Sequence, residues 1–104
     1  MKLKTGSIDA LDRIIHERAR LAIVSALAAA GELSFPELRD ATGLTDGNLS
    51  VQLRTLEEAT YLAIKKSGAG GRKSRTSATL TAAGRKAFAA YLAELDKVLG
   101  RWRA

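Results

Sequence analysis

Cysteine is absent from the 104 residues, which excludes disulfides, thiolate metal sites and a cysteine nucleophile. Histidine occurs once, at His16. A metal sensor needs a second imidazole or several converging carboxylates, so His16 reads as a structural or interfacial residue, and neither a metal nor any other cofactor is expected. Long apolar runs are missing as well. Asp9 and Asp12 interrupt the N-terminal segment, so neither a signal peptide nor a membrane span can be drawn, and the expectation is a soluble, cytoplasmic protein without a membrane partner. No nucleophile elbow or paired catalytic carboxylates can be identified. The glycine cluster GAGGR lacks the Lys-Ser/Thr ending of a phosphate loop, and the chain is therefore not expected to be an enzyme.

The last thing missing is acid, and only from one place. Residues 1–64 hold seven basic and nine acidic residues, whereas from Lys65 to Ala93 the cations Lys65, Lys66, Arg72, Lys73, Arg75, Arg85 and Lys86 meet no Asp or Glu. The net charge of +6 comes from that stretch and the tail. A localised basic segment is what a polyanion binder carries, because neutralising phosphates releases condensed counterions.

A composition of 46% hydrophobic and 27% charged residues suits one globular domain, residues 1–104. Residues 8–31 read as N-terminal helices. Ile8, Leu11 and Ile15 mark a first short helix after Ser7, and a second starts near Glu17, with Leu21, Val24 and Leu27 on one stripe and Gly31 as the stop. Residues 34–59 read as a helix-turn-helix. ELSF is an extended link into a helix with Pro36 in its first turn, burying Leu38 and Ala41 and ending at Gly43. Thr45 then caps a helix whose Leu49, Leu53 and Leu56 face inward. Residues 61–80 read as a hairpin around the glycine-rich loop, with RTSATL the returning strand. Residues 82–102 form a last helix, in which Phe88, Leu92, Leu95, Leu99 and Trp102 are spaced four, three, four and three apart. That heptad-like seam predicts dimerisation, shared with Ile8, Leu11 and Ile15.

This order is the winged helix-turn-helix plan: mainly α with a small β-hairpin (α+β), flanked by N- and C-terminal dimerisation helices. With the three leucines inward at 100° per residue, the helix after Thr45 turns Gly47, Asn48, Val51, Arg54 and Thr55 outward, flanked by Ser50 and Gln52. These are base-edge chemistries: amides pair with adenine, Arg with guanine, and Val or Thr methyls meet the thymine methyl. Thr45 and the first helical amides suit a phosphate. Arg72, Lys73 and Arg75 place three cations on the hairpin for the minor groove and backbone. The partners so implied are double-stranded DNA and a second copy of the chain. An acidic protein or RNA docked on the basic hairpin is the alternative.

The stretches RLAIVSAL, ELSFPELRDATGLTDGNLSVQLRTLEEATYL and GRKSRTSATLTAAGRKAFAAYLAEL resemble the small winged-helix transcriptional regulators related to the MarR and ArsR families. The resemblance spans Leu11 to Leu95. It implies a dimeric prokaryotic regulator, in most cases a repressor, reading a pseudo-palindromic site with two recognition helices. Two positions depart from the pattern. Thr60 stands where a glycine follows the recognition helix, which predicts a strained helix end, and Ser74 replaces a proline in the wing.

Overall fold

Each helix begins where a side-chain oxygen takes an amide that the helix itself leaves orphaned. A computed structural model describes residues 10–68 and 75–103, with side chains as far as residue 100. Helix α1 (Arg18–Ala30) starts on Glu17, whose carboxylate accepts from the Arg20 amide at 3.0 Å. Strand β1 (Glu32–Ser34) leads directly into α2 (Phe35–Thr42), closed by a capping box in which Ser34 and Glu37 exchange backbone and side-chain bonds. Gly43 ends α2 at φ 72°, and Thr45 caps α3 (Asp46–Glu58) by accepting from the Asn48 amide. Strands β2 (Leu62–Ser67) and β3 (Arg75–Leu80) follow, then α4 (Ala82–Arg103).

Among the described residues the sheet has three strands, not the hairpin alone. β3 lies in the middle, antiparallel both to β1 (Leu33 opposite Ala78) and to β2 (Ile64 opposite Ala78). The short extended stretch expected at ELSF is a strand, and it pairs with β3, where Ser77 Oγ donates to Glu32 Oε2 at 2.6 Å. Ile23, Val24 and Leu27 of α1, Leu38 of α2 and Leu49, Leu53 and Leu56 of α3 form the main core over Leu62, Ala78 and Leu80 of the sheet. Each of the Ile, Val and Leu side chains contributes about 1.5–3 kcal/mol when fully buried. Ala41 is exposed, contrary to the expectation: it lies in the last turn of α2, beyond the reach of the core.

The first short helix is not seen over its described part, residues 10–17, which run as turns. Asp12 causes this. Its Oδ1 accepts from the amides of Ile14 and Ile15 at 2.8 and 3.1 Å, satisfying them without a helical ladder, and its Oδ2 accepts from the Tyr61 hydroxyl. The turns press Leu11 and Ile15 onto Tyr91 of α4 to make a second, smaller core.

The end of α3 confirms the strain expected of Thr60. The Thr60 and Tyr61 amides donate to the carbonyls of Glu57 and Leu56, the paired bonds of a Schellman motif. That geometry needs a left-handed residue after the cap, and Thr60 supplies it at φ 67° in place of glycine. The strained corner is then tied to α4: Thr81 donates its hydroxyl to the Thr60 carbonyl at 2.6 Å, accepts from the Gly84 amide, and sends its own amide to the Tyr61 carbonyl at 3.0 Å.

Candidate nucleic-acid interface

Because α3 buries its three leucines completely or nearly so, its opposite face is left to solvent. Thr45, Gly47, Asn48, Ser50, Val51 and Arg54 are exposed, Val51 with 58% of its surface, while Gln52 and Thr55 are half-buried. The outward set expected from the helical angle is therefore brought together on one face. Two members are engaged within the chain. The Thr55 hydroxyl donates back to the Val51 carbonyl, so Thr55 offers its methyl. Gln52 accepts at Oε1 from Arg20 of α1 and donates from Nε2 to Asn48 Oδ1.

At the start of α3 the Asn48 amide is taken by Thr45 Oγ1. Asp46 occupies the same first turn and pairs with Arg39, Nη1 to Oδ1 3.1 Å. This acid partly offsets the positive end of the helix dipole, so the N-terminus of α3 is a poorer phosphate cradle than Thr45 alone suggests.

Beside α3 a groove of about 1090 Å³ opens toward the sheet, lined among others by Ser50, Arg54 and Glu57 of α3, Lys66 of β2, and Arg75 and Thr76 of β3. Three of these six are cations and one is an acid. Arg75 is exposed at the start of β3, and its guanidinium stands 3.6 Å from Glu37 of α2. Glu37 is held below its ordinary pKa of 4.5 by the Ser34 amide first, then the Ser34 hydroxyl, with a smaller contribution from the charge of Arg75. A surface pair of this kind adds little stability, so Arg75 remains free to change partner. Lys65 and Lys66 are exposed on β2. Neither stood among the expected wing contacts, although both belong to the acid-free run that signals the surface. Arg72, Lys73 and Ser74 lie outside the described residues.

The expected dimer surface divides into two parts. Leu11 and Ile15 are buried within the chain, 6% and 0% exposed, and so are removed from that surface by the turn at Asp12. On α4, Tyr91 is the inward residue, with Phe88 and Leu95 packed beside it on the second core. Burial raises the Tyr91 pKa, and its hydroxyl shares a 2.8 Å hydrogen bond with His16 Nδ1, which gives His16 a structural role. Leu92 and Leu99, one heptad apart, remain exposed at 46% and 45%. Ile8 and the Trp102 side chain lie outside the described residues. Among the described residues no group of three or more His, Asp or Glu could hold a metal ion, and no helix is long and apolar enough to cross a membrane.

Residues 19–99 match the family model of the winged helix DNA-binding domain. The chain is 35% identical over 83 residues to the uncharacterized protein MJ0432 of Methanocaldococcus jannaschii, an alignment covering 80% of this chain and 89% of that protein. Its fold is similar to that of a transcriptional regulator homologue from Pyrococcus horikoshii OT3, with TM-score 0.85, 22% identity, and 98% and 100% of the two chains covered. It is similar also to a protein described as a MarR-family regulator from Enterococcus faecalis V583, with TM-score 0.73, 22% identity, and 99% and 94% covered.

Proposed function

The chain belongs to the winged helix DNA-binding domain family, and on that premise we propose that it is a homodimeric, sequence-specific regulator of transcription that acts as a repressor. In this reading α3 lies in the major groove and reads bases through Asn48, Ser50, Val51, Gln52, Arg54 and Thr55. The cations of the hairpin, Lys65, Lys66, Arg72, Lys73 and Arg75, hold the backbone and the minor groove. The observation that carries it is the groove in which the exposed polar face of α3 meets Lys66 and Arg75. Readout and electrostatic anchoring thus stand side by side. Leu92 and Leu99 support the dimer, since an exposed leucine pair one heptad apart on a helix is suited to a second copy.

Mobility-shift titration and footprinting on genomic fragments test the reading. A two-fold symmetric, sequence-preferring footprint is expected. Arg54→Ala should change which sequences are preferred, whereas Arg72→Ala and Arg75→Ala should weaken binding to all of them. Undiminished affinity in both wing variants counts against wing contact. A footprint of one half-site, together with a monomer by light scattering at micromolar concentration, overturns the dimer.

A further inference from the structure

Arg20 lies on α1, outside the proposed DNA-reading surface, yet its guanidinium reaches the recognition helix. Its side chain is 18% exposed. Nε donates to the Ile14 carbonyl at 2.6 Å, and Nη1 donates to Gln52 Oε1 at 2.7 Å, with Glu17 Oε1 at 3.9 Å. The turn at residues 12–17 therefore fixes the cation from one side, and the cation fixes Gln52 from the other.

A guanidinium carries donors only and stays charged at any pH of interest. Whatever Gln52 turns toward it must be the carbonyl oxygen. The Gln52 nitrogen then points along the helix surface and donates to Asn48 Oδ1 at 3.0 Å, so Asn48 in turn must present its oxygen to Gln52. One permanent cation sets the orientation of both amides. What these amides retain for a ligand is one hydrogen on Gln52 Nε2, both hydrogens on Asn48 Nδ2, and the second lone pair of the exposed Asn48 Oδ1.

We propose that Arg20 is a specificity-determining residue, which orients Gln52 and through it Asn48, so that this part of α3 presents a fixed donor–acceptor edge and selects adenine over guanine. The inference rests on the reading of α3 as the DNA-contacting helix. In the major groove guanine shows two adjacent acceptors, N7 and O6, whereas adenine shows the N7 acceptor beside an N6 donor. A free asparagine or glutamine pairs with adenine by accepting from N6 with its own oxygen. Asn48, its orientation fixed through Gln52, keeps its Nδ2 hydrogens and the second lone pair of Oδ1 for that pairing, whereas guanine sets its O6 acceptor against Oδ1.

The test is selection of binding sites from a randomised duplex library by the wild type, Arg20→Met and Asn48→Ala, followed by titration of duplexes differing at the base pair where Asn48→Ala loses selectivity. Wild type should favour adenine there, and Arg20→Met should lower the adenine-to-guanine affinity ratio by about fivefold or more, the worth of one oriented pair of contacts. A ratio cancels the general weakening caused by losing one positive charge. In the Asn48→Ala background Arg20→Met should change the ratio no further. An unchanged ratio in Arg20→Met, or an equal change with and without Asn48, overturns the role of Arg20. Should Arg20→Met not fold, Gln52→Met severs the same chain at the surface and must lower the ratio likewise. A wild type without base preference at α3 refutes the reading of that helix, and this proposal with it. In the free protein, the side-chain amide NMR signals of Asn48 and Gln52 should shift in Arg20→Met, and unshifted signals overturn the positioning role whether or not the protein binds DNA.

Discussion

Gly84, in the first turn of α4, packs against the corner that ends α3. A Cβ built there falls 2.0 Å from the Tyr61 carbonyl oxygen and 2.9 Å from its carbon, where real Cβ contacts under 3.0 Å essentially never occur. The obstacle is backbone, so Gly84→Ala must drive α4 and the corner apart by roughly an ångström. The Tyr61 oxygen also accepts from the Thr81 amide at 3.0 Å, and the Thr81 hydroxyl donates to Thr60 at 2.6 Å; both bonds lie in the path of that shift. Overpacking costs about 1–3 kcal/mol, and a lost hydrogen bond about 1 kcal/mol. Against this, alanine gains up to about 1 kcal/mol over glycine in a helix. The net is a loss of about 2 kcal/mol, a fall in Tm of about 10 °C for a domain of this size. Gly100→Ala, in the same helix with nothing within 4 Å, should instead leave stability equal or higher. Thermal melts by circular dichroism at one protein concentration compare the two directly. A Gly84→Ala protein melting at or above the wild type refutes the reasoning, because propensity alone would then govern the position.

Thr60→Gly should raise stability by about 0.5–1 kcal/mol, since it relieves a left-handed threonine costing about 1–2 kcal/mol and forfeits part of that to the freer unfolded chain; urea unfolding measures it. Lys66→Ala and Arg75→Ala should each weaken DNA binding on every sequence and lower the slope of log affinity against log salt by about 1, with Tm held within about 1 °C. Tyr61 has its pKa pushed up to about 12, chiefly by the hydrogen bond to Asp12, then by burial and the Asp12 charge. Its folded value lies above the ordinary 10.0, so this contribution is complete below pH 10 and lost as pH rises from there toward 12. Tyr61→Phe should lack that part of the alkaline decline in denaturant midpoint. Glu37, whose folded pKa is lowered, works in the opposite sense: its contribution is present above the ordinary 4.5 and is lost as pH falls through the lower folded value. Glu37→Gln should flatten the acid side of the Tm profile.

Where the fold depended on near neighbours in sequence it could be read directly. Thr45 before α3 and Gly43 after Thr42 are caps whose partners lie within four residues, and Leu49, Leu53 and Leu56 needed only the helical angle. The misreadings involve competition or distance. Ile8, Leu11 and Ile15 keep a helical period, but Asp12 offers the amides behind it another acceptor. The extended stretch that is β1 was legible, but its pairing was not, because its partner lies on β3, more than forty residues away. The α4 seam has the right spacing for a dimer, yet Tyr91, outside the 88–92–95–99 series, is the residue that reaches the core. The outward set on α3 was legible from angle alone. That Gln52 is held by Arg20 was not, since the two are joined only when α1 and α3 pack.

Among the described residues strand β2 is hydrogen-bonded to β3 on one side only, and its outer edge carries the exposed Lys65 and Lys66. An unpaired edge invites another chain to add a strand, and lysines there repel a like edge. The same cations that suit a phosphate backbone thus keep unbound molecules from joining edge to edge. That protection is greatest when no polyanion is near and weakens in high salt, so neutralising these lysines risks aggregation as well as loss of binding, and charge-conserving Lys→Arg changes should escape it.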